Sequence, residues 1–133
     1  DDNFNYQVFK SQLEDKNVVL FLICDEQKSP VGFLKLNIDK AWQGYDEASS
    51  LELERIYLIR NASGKGLGSS IIDFVASFAK LRNKKYVWLK SMDSGPAVNF
   101  YQRNGFTIVD QWTLPFPEMK PELRGMYVMV KEI

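Results

Sequence analysis

The chain contains no histidine among its 133 residues. This absence excludes Ser-His-Asp triads, Cys-His dyads and zinc sites built on histidine ligands. Any acid–base chemistry must therefore use Asp, Glu, Lys, Tyr or water. We predict no metal centre.

Cysteine is almost as scarce, with Cys24 as the single example. An internal disulfide is impossible, and Cys24 lies in the apolar run VVLFLIC, where a buried thiol is the ordinary interpretation. The first residues, DDNFNYQVFK, are polar and acidic, unlike a secretory signal. These features predict a cytoplasmic protein.

Neither sign of charge dominates, because 17 basic residues face 17 acidic ones. This balance gives no electrostatic footprint for nucleic acid and no polybasic membrane patch. No apolar run approaches the roughly 18 residues of a membrane span. A hydrophobic content of 45% supports a buried core, so we predict one domain over residues 1–133 with neither nucleic acid nor membrane as partner.

Hydrophobic periodicity predicts a mixed α/β sandwich with the element order β-β-β-α-β-α-β-β. Residues 4–14 show helical spacing ahead of the sheet, and residues 67–82 carry a second helical stripe. A third, short helix over AVNFYQRN is opened by Pro96 and ended by Gly105. The predicted strands are a hairpin of NVVLFLICDE and VGFLKLNID, then LELERIYLI, YVWLKSM, FTIVDQW and GMYVMVKEI.

The strand LELERIYLI changes the face of its apolar residues partway along. Leu51 and Leu53 lie on odd positions, whereas Ile56 and Leu58 lie on even ones. Because strand faces alternate with period two, the change predicts an extra residue, a β-bulge near Glu54–Arg55. The alternative is a strand buried on both faces, where parity carries no information.

Residues 63–70, SGKGLGSS, connect this strand to the long predicted helix. Glycines let backbone approach a ligand closely, and the first helical turn offers unpaired N–H groups to phosphate. The spacing fits neither a P-loop nor the dinucleotide fingerprint. The alternative is a tight connection without a ligand.

LELERIYLIRNASGKGLG, followed downstream by AVNFYQRNGFTIV, resembles the GNAT family of acetyl-CoA-dependent N-acetyltransferases. Gly66 and Gly68 occupy the glycine positions of that family's pyrophosphate loop, and the downstream segment matches its helix-tyrosine-GF-strand signature. The likeness covers roughly residues 18–133. It implies the GNAT acyl-CoA N-acyltransferase fold: a mixed, mostly antiparallel sheet with a central β-bulged strand and flanking helices.

The resemblance implies that acetyl-CoA, as co-substrate, enters a V-shaped split between two central strands. A primary amine would then attack the thioester directly. The implied pantetheine contacts are the backbone of Ile56, Tyr57 and Leu58. The implied contacts near the phosphates are Ser63, Gly64, Lys65, Gly66, Leu67, Gly68 and Ser69, with Ser94 in a later turn.

Tyr101 matches the family's tyrosine that protonates the departing thiolate; the alternative is an ordinary core aromatic. The amine, with a pKa of about 10.4, must lose a proton before attack. Glu54 is our predicted base, acting through water, with Glu52 second. The alternative for both is a solvated or salt-bridged strand face. Lys90 stands where some relatives carry a glutamate base.

Three departures from the family pattern weaken parts of this picture. Ser63 replaces the usual Arg or Gln, and Ser94 replaces an asparagine that contacts the cofactor. Only about 17 residues precede the hairpin. Either the sequence is part of a longer chain, or part of the pocket is built differently, and the first strand of the sheet would then be missing and an edge exposed. In family members, the elements before the hairpin help to form the wall of the acceptor site. A partner subunit, as in a homodimer, is one expected source of this wall.

VGFLKLNID, LELERIY and NKKYVWL are most similar to bacterial PaiA-type polyamine (spermidine/spermine) acetyltransferases. A polycation needs carboxylates around its pocket. They occur in the loop and bulged strand, at Asp39, Asp46, Glu47, Glu52 and Glu54. An ordinary acidic loop is the alternative.

Other acceptors and other classes of function stay open. The acceptor alternatives are a peptide N-terminus, a lysine and an aminoglycoside. Another class is a GNAT-fold module that binds CoA as a sensor or structural ligand, with chemistry weakened by Ser63, Ser94 and Lys90. A nucleotide-binding module is a third reading.

Overall fold

The computed structural model describes residues 7–11, 16–59 and 66–133, with side chains from residue 16 onward. The strands are β1 Gln7–Ser11, β2 Val18–Cys24, β3 Pro30–Asn37, β4 Ser50–Leu58, β5 Tyr86–Met92, β6 Thr107–Thr113 and β7 Gly125–Glu132. The helices are α1 Leu67–Leu81 and α2 Ala97–Arg103, and two short 3-10 turns cover Glu47–Ser49 and Pro121–Leu123.

The strands form one sheet in the order β1-β2-β3-β4-β5-β7-β6. Only the β4–β5 pair is parallel, and the other neighbours are antiparallel. The parallel pair is connected through α1, as a crossover connection requires. The predicted mixed, mostly antiparallel sheet is confirmed, as are the β2–β3 hairpin and the β6–β7 pairing.

The helix predicted over residues 4–14 is wrong where the chain is described. Gln7–Ser11 forms β1, which pairs antiparallel with β2 so that Gln7 lies opposite Cys24. Pairing with the edge of β2 satisfies the backbone groups that face β2, and such tertiary pairing overrides a weak local periodicity. The edge that we expected beside β2 is therefore covered by β1. Residues 4–6 and 12–14 of the predicted helix lie outside the described residues.

The predicted bulge is present. Lys35 of β3 pairs with Arg55, whereas the next residue, Leu36, pairs with Leu53, so Glu54 is the extra residue in β4. The insertion explains the change of parity. Apolar side chains before and after the bulge, including Leu53 and Ile56, pack on the same core.

The helices follow their sequence signals closely. A buried stripe on α1 packs into the main core, formed by Leu67, Ile71, Ile72, Val75 and Ala79. Each fully buried leucine or isoleucine contributes about 1.5–3 kcal/mol. Pro96 stands at the N-cap of α2, one residue earlier than predicted, and Gly105, with φ of 92°, follows the C-cap.

The two faces of the sheet differ in what covers them. The helix face carries the main core, to which both helices contribute. The opposite face, here the far face, carries a smaller cluster of Trp88, Val128 and Val130, packed with Trp42, Tyr45, Tyr86 and Trp112. Cys24 is a buried free thiol, as predicted. Within the described ranges, no helix has the length and apolarity to cross a membrane.

Candidate active site

The parallel pair β4–β5 opens after a short contact. Ser50–Glu52 pair with Tyr86–Trp88, and no pairing continues beyond them. The bulge at Glu54 begins where the contact ends, and bulges bend the strand that contains them. The second half of β4 is therefore unpaired on the side toward β5. We call the opening between these two strands the split.

Backbone groups on this free edge alternate in direction. The Ile59 N–H donates to the carbonyl of Val31 on β3, at 2.8 Å. In an antiparallel ladder, every second residue bonds the same neighbour, so the N–H and C=O of Tyr57 also face β3. Those of Ile56 and Leu58 then face the split, where an extended ligand with amide groups can pair with them.

A cleft of about 430 Å³ lies beside the split on the helix face. Its walls come from three elements: β4, the start of α1, and α2. The lining residues are Ile56, Leu58, Gly66, Gly68, Ser69, Phe100 and Tyr101.

Two glycines shape the α1 end of the cleft for different reasons. Gly66 is the N-cap, with a left-handed φ of 77° that favours glycine. Gly68 makes room for a neighbour, because a Cβ there would lie 2.9 Å from Cζ of Phe100. The unpaired N–H groups of the first turn lie at this end of the cleft and can receive an anionic group.

Tyr101 is held in the wall of the cleft by aromatic packing. Its ring lies edge-on to Phe100 and Phe106, with centroids 5.2 and 5.6 Å apart. Burial raises the pKa of the Tyr101 hydroxyl above its ordinary value. The hydroxyl therefore keeps its proton at neutral pH and can donate it.

Two carboxylates lie across the sheet from Tyr101, on the far face. The Asn37 amide nitrogen donates to Oε1 of Glu52 at 2.8 Å and to Oε1 of Glu54 at 2.9 Å. Lys40 pairs with Glu52 at 3.2 Å, and Lys35 pairs with Glu54 at 2.9 Å. The bulge thus brings two glutamates to one amide, each with its own lysine.

The environment of Glu54 favours its charged form. Burial alone would raise the pKa of Glu54, but hydrogen bonds from Asn37 and Lys35 and the charges of Lys35 and Lys40 outweigh it and lower the pKa. Glu54 is therefore ionised at neutral pH and is a weak base. It can still accept a proton through water or stabilise a nearby ammonium group.

A cluster of tryptophans borders the same face. The ammonium of Lys90 lies 4.2 Å from the ring of Trp112, 5.4 Å from Trp42 and 5.9 Å from Trp88. Aromatic faces attract cations at such distances. The Trp88 indole N–H also donates to the carbonyl of Lys40, at 2.8 Å. Lys90, where we noted a glutamate in some relatives, is thus engaged as a cation.

The structure brings together only part of the predicted site. Six predicted residues line the cleft: Ile56, Leu58, Gly66, Gly68, Ser69 and Tyr101. Leu67 is fully buried in the core. The Tyr57 side chain is 52% exposed and stacks on Phe33.

Ser94 is exposed in the turn after β5 and is not among the lining residues. Ser63, Gly64 and Lys65 lie outside the described residues.

The loop carboxylates have local roles. Asp39 pairs with the buried Lys84, and Asp46 accepts hydrogen bonds from Ser49, both as parts of an ordinary acidic loop. Asn37 and Phe100 were missed by sequence reasoning. Asn37 had no motif, and only the bulged register places it between two glutamates.

Comparison with known proteins assigns the family. The sequence model of the acetyltransferase (GNAT) family matches residues 1–106, so the chain belongs to this family. A GNAT family acetyltransferase from Elizabethkingia anophelis with acetyl-CoA bound has a similar structure, with a TM-score of 0.78 and 16% identity, covering 97% of this chain and 99% of that one. A spermidine N-acetyltransferase from Vibrio cholerae in complex with CoA and spermine gives 0.73 and 20%, covering 90% and 68%.

Two curated relatives are named only as uncharacterized N-acetyltransferases. One, from the pepI 3′ region of Lactobacillus delbrueckii subsp. lactis, is 34% identical over 57% of this chain and 44% of its own length. The other, from Methanocaldococcus jannaschii, is 28% identical over 85% of this chain and 45% of its own length. The chain thus spans less than half the length of these relatives.

No metal-binding site is evident in the described part of the chain. Among those residues, no three His, Cys, Asp or Glu side chains are grouped to hold an ion.

Proposed function

We propose that this domain transfers the acetyl group of acetyl-CoA to a primary amine by direct attack. The observation that carries the proposal is the split, which has a proton donor, Tyr101, beside it on one face of the sheet and two carboxylates beside it on the other face. Because the two groups lie on opposite faces, cofactor and amine can approach one reaction centre without competing for space.

The cofactor side of the proposal uses backbone and an apolar cleft. The free groups of Ile56 and Leu58 suit the amides of pantetheine, and this alternation favours them over Tyr57. The first turn of α1, from Gly66 through Ser69, suits the pyrophosphate. The structural kinship with an acetyl-CoA-bound protein supports the same arrangement.

The chemistry requires two proton transfers. The neutral amine attacks the thioester carbonyl carbon, a C–N bond forms, and the C–S bond then breaks. The thiolate of CoA takes a proton from the Tyr101 hydroxyl, which burial keeps protonated. The proton lost by the amine passes to water and Glu54, with Glu52 as the second candidate. The lowered pKa of Glu54 favours a water-mediated role over direct deprotonation.

A small polyamine is the finer proposal for the acceptor. Its support is the carboxylate pair on the far face and the kinship of fold with a spermidine acetyltransferase. The loop carboxylates do not add to it, since Asp39 and Asp46 have partners of their own. A peptide amine is the alternative acceptor.

A thiol-release assay with acetyl-CoA tests the proposal against spermidine, simple alkylamines, an aminoglycoside and a peptide. We expect at least one amine to release free CoA above the rate of hydrolysis. Calorimetric binding of CoA is measured in parallel. If CoA binds tightly and no amine releases thiol, the domain is a CoA-binding module. Tighter binding of ATP than of CoA would contradict both.

A further inference from the structure

The ion pair between Lys40 and Glu52 is strongly asymmetric. The Glu52 side chain is only 5% exposed, whereas that of Lys40 is 52% exposed. A buried carboxylate needs a nearby positive charge, because an unpaired one is costly. An exposed lysine loses little free energy when it leaves its carboxylate partner, since surface ion pairs contribute about 0–1 kcal/mol. Glu52 therefore requires an ammonium group, but not the one on Lys40 in particular.

The position of this ammonium group is next to the split. Glu52 pairs with Trp88 and is the last residue of β4 that pairs with β5. Asn37, which bonds Glu52, also bonds Glu54 at the bulge. The Lys40 ammonium thus lies beside the opening between the strands, on the face away from the cleft.

Only the side chain of Lys40 is free to move from this position. Its backbone carbonyl is held by the Trp88 indole, and its backbone N–H donates to Ser50. The lysine can therefore leave Glu52 by rotation of its own side chain, without any rearrangement of the loop.

We propose that the Lys40 ammonium occupies the place of the acceptor's ammonium group and is displaced from Glu52 when the acceptor binds. Lys40 is then a specificity-determining residue. It makes weakly cationic amines poor ligands and admits those whose ammonium group replaces it on Glu52. This inference rests on the proposed function, because it identifies the acceptor's binding group.

The neighbouring pair provides a built-in comparison. Lys35 and Glu54 are exposed to nearly the same extent, 36% and 35%. Glu54 remains hydrated without Lys35, so loss of that lysine creates no comparable demand for a cation. The effect that we expect at Lys40 should be much smaller at Lys35.

Two substitutions of Lys40 distinguish displacement of its side chain from a general disturbance of the site. One removes the charge, and the other strengthens the ion pair with Glu52. Lys40→Met keeps the apolar stem and removes the charge, so the acceptor no longer competes with an internal cation. Lys40→Arg offers Glu52 a planar fork that holds a carboxylate more firmly. Lys80→Met removes the same charge from an exposed site on α1 and serves as control.

The readout is calorimetric binding of butylammonium at pH 8 to protein saturated with CoA. Because CoA carries no acetyl group, no transfer takes place during the titration. We expect Lys40→Met to tighten binding about threefold to fivefold, the size of a surface ion pair. Lys40→Arg should weaken it, and Lys80→Met should leave it unchanged. Circular dichroism confirms that each variant is folded.

Three results would overturn the inference: the two Lys40 variants shifting in the same direction, Lys40→Met binding no tighter than Lys80→Met, or Lys35→Met producing an equal gain. Because the titration involves no turnover, these results are independent of the amine panel. An enzyme that acetylates amines yet shows no Lys40 effect refutes only the displacement. A protein that releases no thiol with any amine refutes the proposed function, while the titration still decides on the Lys40 position.

Discussion

At the scale of single residues, the candidate site depends on two side chains, Tyr101 and Glu54, whose environments shift their pKa values in opposite directions. Burial keeps the proton on Tyr101, and hydrogen bonds keep it off Glu54 despite partial burial. Pairs of titratable groups driven apart in this way are common in acid–base catalysis. Their separation across the sheet gives each a distinct role in the proposed reaction.

Tyr101→Phe should lower kcat by roughly 10²-fold, the usual scale of general acid catalysis. The phenol is the proposed donor to the thiolate, and its loss leaves water to supply the proton. Steady-state thiol release with saturating acetyl-CoA measures the effect. Tyr127→Phe is the control, since Tyr127 packs on the same core without lining the cleft. An unchanged kcat for Tyr101→Phe would remove this residue from the mechanism.

Glu54→Gln should flatten the acid limb of the stability curve. The folded pKa of Glu54 is lowered from 4.5, so its stabilising effect is present above that value and is lost as the pH falls through the folded pKa. Wild-type Tm should therefore drop more steeply below about pH 4.5 than that of the variant. Thermal melts across the acid range measure this difference. Parallel curves for the two proteins would contradict the lowered pKa.

At the scale of elements, the bulge in β4 and the start of α1 define the site together. The bulge bends the strand where its pairing with β5 ends, while Gly66 caps α1 and Gly68 lets α1 pack close to α2. Neither device adds a catalytic group. Both decide where backbone and side chains of other residues can reach.

Gly68→Ala should narrow the cleft and destabilise the contact between α1 and α2. The added Cβ lies too close to the ring of Phe100, and because Phe100 lines the cleft, we expect its displacement to alter the shape of the cleft. We expect KM for acetyl-CoA to rise several-fold and stability to fall by about 1–3 kcal/mol, as for other overpacked sites. Ser77→Ala, exposed on the same helix, is the control for helix propensity. An unaltered KM would show that Phe100 moves away from the cleft.

The success of sequence reasoning differed between elements for physical reasons. The bulge was predictable because one extra residue shifts the parity of Leu51 and Leu53 against Ile56, and side-chain parity is a local signal. The strand at Gln7–Ser11 was not, because its pairing partner lies in β2 and helical spacing was the only local cue. The role of Asn37 depends on a cross-strand register, which no single segment encodes.

At the scale of the whole molecule, one buried lysine joins the loop before β4 to the turn after α1. Lys84 is only 3% exposed, pairs with Asp39 and donates to the carbonyl of Ala48 at 2.9 Å. The same loop carries Lys40 and Trp42. We call the contacts of Lys84 with Asp39 and Ala48 the clamp, and we infer that it helps to position these two residues on the far face.

Lys84→Met should destabilise the fold by about 2 kcal/mol, because the part-buried carbonyl of Ala48 loses its charged donor. The free energy of unfolding in urea measures the loss, with the exposed Lys85→Met as the matched control. We expect acceptor KM to change more than cofactor KM, since the loop borders the proposed acceptor side. Equal stability of the two variants would show that Lys84 is not a clamp.

The tryptophan cluster has an optical consequence. All three indoles of the chain surround the Lys90 ammonium on the far face. Indole emission therefore originates from a single neighbourhood next to the proposed acceptor position, while the proposed cofactor cleft contributes none. Charge that enters or leaves that neighbourhood changes the colour and yield of the emitted light. The molecule thus contains its own fluorescent reporter for one of its two faces, without any added label.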